Sequence, residues 1–92
     1  MALLSTDEID RRLAGGDWSR DADSIVRELV FADFSAAVAF VDRVAAVAEA
    51  ANHHPDILVH DYNKVRLELS THSEGGLTDA DFALAAQIDA LA

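Results

Sequence analysis

The sequence predicts an α+β domain, a four-stranded antiparallel sheet with its helices packed on one face in the order α-β-β-α-β-β-α. Three observations lead to that fold. Apolar residues recur with helical period from Phe34 to Ala51. Residues alternate strictly between apolar and polar from Val65 to Thr71. Apolar, β-prone runs come in two pairs, one before the long helix and one after it, each pair divided by turn residues. No linker, low-complexity segment or repeat interrupts the 92 residues, so residues 1–92 read as one domain.

The first helix begins at Ser5-Thr6-Asp7-Glu8, where serine followed three positions later by glutamate spells a capping box. Ile9 and Leu13 form an i, i+4 apolar pair, and Gly15-Gly16 ends the element. Between Trp18 and Phe31, the residues Ile25, Val26, Leu29, Val30 and Phe31 are β-branched or large, and Asp21 to Asp23 supplies the turn of a hairpin. Asp33 is suited to cap the long helix, because its carboxylate can accept an orphan backbone N–H. Inside that helix Phe34, Val38, Val41, Ala45 and Ala48 make one apolar stripe, and Ala37, Phe40, Val44, Val47 and Ala51 make another beside it. Two stripes predict two partners, the sheet and another helix, with a second subunit able to supply the latter.

Pro55 fixes its own φ and disfavours the α region for His54, so the helix ends at His53-His54-Pro55 on a stiff corner. Ile57-Leu58-Val59 reads as a short strand and Asp61-Tyr62-Asn63 as a turn. In the last strand Val65, Leu67, Leu69 and Thr71 point one way and Arg66, Glu68 and Ser70 the other. His72 falls in phase with the polar set if the strand continues that far. Gly75-Gly76 breaks the strand. Thr78 then caps a last helix with Asp81 at N3, Leu77 and Phe82 in hydrophobic-staple positions, and Leu84, Ala85, Ile88 and Leu91 as its buried stripe.

Composition narrows the function. A chain of this size hides only roughly 60 to 65% of its unfolded surface when it folds alone, a shortage that self-association relieves. Hydrophobic residues make up 51% and aromatics 7%, so the core is aliphatic and the chain globular. A net charge of -10, with no cluster of Lys and Arg, repels phosphate backbones and argues against nucleic-acid binding. The absence of cysteine excludes disulfides and thiolate metal sites. Met1-Ala2-Leu3-Leu4 lacks the basic region and apolar stretch of a signal peptide, and no apolar run reaches membrane-span length, which leads us to expect a cytoplasmic protein that does not enter a membrane.

Three of the four histidines, His53, His54 and His72, carry the chemistry, and residue types leave three readings of them. As helix-end or surface residues, His53 and His54 gain from the helix dipole, which favours a cation there. As zinc ligands they fit poorly, because adjacent histidines rarely bind one ion and the spacing matches no H-E-x-x-H or Cys/His pattern. As acid–base catalysts they need no cofactor, since imidazole gives and takes protons near neutral pH. Residue types do not decide between the first and third readings. Glu49, one turn before His53, could orient an imidazole or belong to a solvated helix face. Asp81 is first a helix N-terminal acid, Trp18 could stack at a pocket mouth or belong to the core, and His60 has no assigned role.

The ordered spacing goes further. Glu49, three residues, His53-His54-Pro55, six residues, Tyr62, nine residues, His72, eight residues and Asp81 closely resembles the signature of the pterin-4a-carbinolamine dehydratases. Tyr62-Asn63-Lys64-Val65, Ser70-Thr71-His72, Gly75-Gly76-Leu77-Thr78 and Asp81-Phe82 match as well. Gly16-Asp17-Trp18, Phe31 to Phe34 and Arg43-Val44-Ala45 extend the likeness over nearly the whole chain. Two departures stand out: Asn52 occupies a place where many members carry an acid, and Ile57-Leu58 replaces an aromatic often found after the proline.

The resemblance implies a lyase that dehydrates 4a-hydroxytetrahydropterin to quinonoid dihydropterin, recycling the pterin of aromatic amino-acid hydroxylases without metal or other cofactor. By position it makes His53, His54 and His72 catalytic, with His53 and His72 the expected proton-transfer pair. Asn52, Pro55, Ser70, Thr71, Glu49, Asp81 and Trp18 become substrate-binding. It further implies a homodimer or homotetramer. The alternative it allows is a non-catalytic dimerisation or interaction protein of the same fold, since family members can also serve as dimerisation cofactors of a transcription factor.

Overall fold

The computed structural model describes residues 2–92. The chain forms α1 (Thr6–Leu13), β1 (Ser19–Asp21), β2 (Ser24–Val30), α2 (Phe34–Ala51), β3 (Asp56–His60), β4 (Lys64–Leu69) and α3 (Asp79–Leu91). The element order is the one expected from the sequence. The four strands lie in the order β1-β2-β4-β3 and every adjacent pair is antiparallel.

Strand β4 is central, and its alternation is realised in full. Val65, Leu67 and Leu69 are completely buried on the helix side, while Arg66 and Glu68 stay partly open on the other face. Register places Leu67 between Arg27 of β2 and Ile57 of β3. Helix α2 packs on α3 and on β3 and β4, burying Ala37, Phe40, Val44 and Ala48, which largely coincide with the second predicted stripe. The other stripe divides: Ala48 is buried and Val41 packs partly against the core, but Phe34, Val38 and Ala45 remain exposed in the single chain.

Helix ends follow their caps. Ser5 accepts the Glu8 N–H at 3.1 Å, but the Glu8 carboxylate turns to Arg11 and Arg12, so the first capping box is half formed. Thr78 and Asp81 form theirs completely. Asp33 accepts the Ala36 N–H at 2.8 Å. Among the described residues no helix is long and apolar enough to cross a membrane.

One expectation is corrected. The last strand stops at Leu69, so His72 does not lie on its polar face. Thr71 instead makes an isolated bridge to Gly76, and His72 opens a 3-10 turn, His72–Glu74, closed by Gly75 at φ 74°. The chain must reverse between β4 and α3 in a few residues, and a left-handed glycine makes that turn accessible.

Candidate active site

The site begins where α2 ends. Asn52 adopts the left-handed conformation at φ 50° and ψ 42°, which Asn tolerates better than most side chains. The Asn52 N–H bonds to Glu49 O at 3.2 Å and the His53 N–H reaches Ala48 O at 3.1 Å, so the last carbonyls of the helix fix the backbone of His53. Pro55 then directs the chain into β3.

The His53 side chain is 16% exposed and its Nε2 lies 2.6 Å from Oδ1 of Asp81, which is fully buried. A carboxylate buried to that degree needs hydrogen bonds on both oxygens. Oδ2 accepts from the Thr78 N–H at 2.9 Å and from the Thr71 hydroxyl at 2.8 Å. The Thr78 and Thr71 hydroxyl oxygens are themselves 2.8 Å apart. Three separate segments therefore meet at one carboxylate: the end of α2, the turn after β4 and the start of α3.

His54 turns outward, where its Nε2 pairs with Glu49 and both side chains are more than half exposed. His72 is exposed and follows Thr71 directly, so the hydroxyl bonded to Asp81 and the third histidine are neighbours in the chain. On the open face of the sheet, Ser24 hydrogen-bonds Glu68 and holds its carboxyl below the usual glutamate range, with Arg66, 3.0 Å away, adding to the effect. The field of His72 acts in the same direction and burial opposes it.

The predicted site residues thus divide by place. His53, Thr71 and Asp81 are joined directly, His54 with Glu49 and Asn52 with Pro55 flank them, and His72 opens the adjoining turn. Ser70 lies beside Thr71, but its hydroxyl donates to Asp23 O at 2.7 Å in the β1–β2 turn. Trp18 makes no hydrogen bond to this cluster: it is 7% exposed, donates to Asp89 at 2.8 Å, and lines a cavity of about 290 Å³ with Leu13 and Phe82. Sequence reasoning treated Thr78 only as a cap and missed its place in the polar network. The signal was there, since a capping box puts the N3 acid beside the cap residue. Glu68, read only as part of a polar strand face, is the other omission.

Chemically the cluster offers one imidazole held by a buried acid and two more imidazoles open to solvent. Among the described residues no group of three or more His, Cys, Asp or Glu side chains could hold a metal ion.

Comparison with known proteins follows the same line. The sequence model of the family described as Pterin 4 alpha carbinolamine dehydratase matches residues 2–91. A Chloroflexus aurantiacus protein, provisionally named a pterin-4-alpha-carbinolamine dehydratase, is 57% identical over 90 residues, covering 97% of this chain and 96% of its own. A crystal structure from Brucella melitensis, described as a transcriptional coactivator/pterin dehydratase, superposes with a TM-score of 0.92 at 34% identity, covering 99% of both chains. A pterin dehydratase-like protein described as a RuBisCO assembly factor in the alpha-carboxysome superposes at 0.69, with 26% identity over 84% of this chain and 90% of its own.

Proposed function

The chain belongs to the Pterin 4 alpha carbinolamine dehydratase family, and we propose that it dehydrates a 4a-hydroxytetrahydropterin by histidine acid–base catalysis. The observation that carries this reading is His53 held 2.6 Å from the fully buried Asp81, with Thr71 tying that carboxylate to the turn that bears His72. Proton transfer needs imidazoles within reach of open space, and the reading is supported by one imidazole held by a buried acid and two exposed ones in neighbouring segments.

In the reaction, electrons from a ring nitrogen move toward C4a as the C4a–O bond breaks. The departing hydroxyl takes up a proton and leaves as water. The ring nitrogen then loses its own proton, giving the quinonoid dihydropterin. One histidine must donate and another accept, and His53 and His72 are the pair we assign, with His54 and Glu49 contacting the substrate at the open edge. Asn52, Pro55 and Ser70 contribute mainly backbone and polar contacts around the ring. The steps need no metal or other cofactor. The cellular role we assign is recycling of the pterin used by aromatic amino-acid hydroxylases, in the cytoplasm and as a homodimer or homotetramer.

A direct assay decides the matter: synthetic 4a-hydroxytetrahydropterin mixed with chelator-treated protein, with loss of the 4a-hydroxyl followed by ultraviolet absorbance. Turnover above the spontaneous rate supports the reading. Its absence would favour the second one, an interaction protein of the same fold. That second reading draws on the exposed Phe34 and Val38 of α2 and on the coactivator and assembly-factor descriptions attached to the two structural relatives.

A further inference from the structure

Within the buried network around Asp81, the direction of every hydrogen bond follows from which groups carry a proton. A carboxylate only accepts. The Thr71 hydroxyl has one proton and gives it to Asp81 Oδ2, so the contact between the two threonines, 2.8 Å long, is donated by Thr78. The Thr78 N–H also donates to Oδ2, at 2.9 Å. With Oδ2 occupied twice, Oδ1 is left for His53, whose Nε2 must be the donor at 2.6 Å. The proton of a neutral His53 therefore sits on Nε2, and the lone pair on Nδ1.

We infer that Thr71 and Thr78 are positioning residues which, by orienting Asp81, hold His53 as its Nε2–H tautomer with Nδ1 as the proton acceptor. The inference rests on the dehydratase reading above, and it divides the roles in that reaction: His53 takes the ring proton through Nδ1, which leaves His72 to donate to the departing hydroxyl. Thr71 and Thr78 then act through Asp81 rather than on the substrate. This explains why a helix cap is linked to a hydroxyl on another turn, a contact that capping alone does not require.

Asp81→Asn makes a sharp test. The amide oxygen can take the place of Oδ2 and accept from Thr71 and Thr78, which points the NH₂ group at His53. Nε2 must then accept, and the proton moves to Nδ1, the wrong-tautomer effect known for the aspartate of hydrolytic triads. Long-range ¹H–¹⁵N NMR reports which ring nitrogen is protonated, and comparison with His53→Gln identifies the His53 signal.

The expected result is Nε2–H in the parent protein and Nδ1–H in Asp81→Asn. Thr71→Val should lower kcat about 10-fold with KM nearly unchanged, because it loosens orientation without touching substrate. Thr71→Ser should restore the rate, and both Thr71 variants should keep the Nε2–H tautomer because the Asp81 carboxylate can still only accept. Should Asp81→Asn fail to fold, the Val and Ser pair still decides. An Nδ1–H signal in the parent, or an unchanged Nε2–H signal in a folded Asp81→Asn, overturns the assignment whatever the rates. A parent protein with no turnover but the expected tautomer change would overturn the dehydratase reading and leave the Thr71–Thr78–Asp81 positioning supported.

Discussion

Trp18 donates its indole N–H to Asp89 at 2.8 Å, joining the chain before β1 to the end of α3 across 71 positions. The same carboxylate oxygen also pairs with Arg27 of β2. Eight residues of helix, about 12 Å of rise, separate Asp89 from the Asp81 that holds His53. Trp18→Phe should therefore lower stability by about 0.5–1.5 kcal/mol through the lost hydrogen bond. The kcat for a 4a-hydroxytetrahydropterin should stay within about twofold of the parent. Denaturant unfolding together with kinetics checks this, and a large loss of rate at unchanged stability would return Trp18 to the substrate site.

Replacing either His53 or His72 should lower kcat by roughly 10²- to 10⁴-fold, the range for a positioned acid or base. The two differ in stability. His72 is exposed, so His72→Ala should be nearly silent in a thermal melt. His53→Ala leaves Oδ1 of a buried carboxylate unpaired, for about 1–3 kcal/mol. His60→Ala, at the end of β3 beside Glu28 and Asp61, should change the rate little, and equal small losses for all three variants would leave the catalytic assignment without support.

Asn52 separates structure from binding. Its left-handed conformation suits glycine, so Asn52→Gly should preserve the melting temperature while Asn52→Ala loses about 1 kcal/mol. If turnover falls tenfold or so in a stable Asn52→Gly variant, the side chain itself contacts the pterin; we expect it to remain.

Glu68 gives a pH signature. Its carboxyl titrates below the ordinary glutamate range in the folded chain, through Ser24 first and then Arg66. The stabilisation is thus present above the unfolded-state value and is lost as pH falls through the folded one. Glu68→Gln should be less stable than the parent by about 0.2–1 kcal/mol at pH 7. The gap should begin to narrow as pH falls below the unfolded-state value of about 4.3 and vanish below the folded one. A difference independent of pH would show that Glu68 contributes through packing alone.

The exposed side of α2 should hold copies together. Phe34 is 57% exposed and Val38 37%, and with Ser35, Ala39 and Asp42 they line a shallow depression. Light scattering on the parent should give a homo-oligomer, and Phe34→Glu a smaller species with unchanged circular dichroism. A parent that is monomeric at micromolar concentration would count against this.

Much of this was legible because the local patterns were strong. The alternation from Val65 and the two stripes of α2 follow directly from the periods of strand and helix, and Asp33 and Thr78 cap as their residue types demand. Spacing also put Glu49, His54 and His53 at one helix end. What was not legible depended on contacts distant in sequence. Nothing local says that Asp81 reaches His53, 28 positions away, or that Trp18 finds Asp89. His72 lies off the strand because the alternation of residue types continues in the sequence after Leu69, where the backbone has already turned.

The closure of α2 onto His53 has a consequence for how this chain can change. Because the His53 N–H is bonded to Ala48 O, the imidazole is indexed to the helix register. One residue inserted anywhere along α2 would rotate it by about 100° and advance it by about 1.5 Å, away from Asp81. Helix α2 is in that sense a gauge block, whose length sets where the imidazole stands. Insertions are better absorbed at the exposed β1–β2 turn around Ala22, which indexes nothing in the site except the Ser70 hydroxyl.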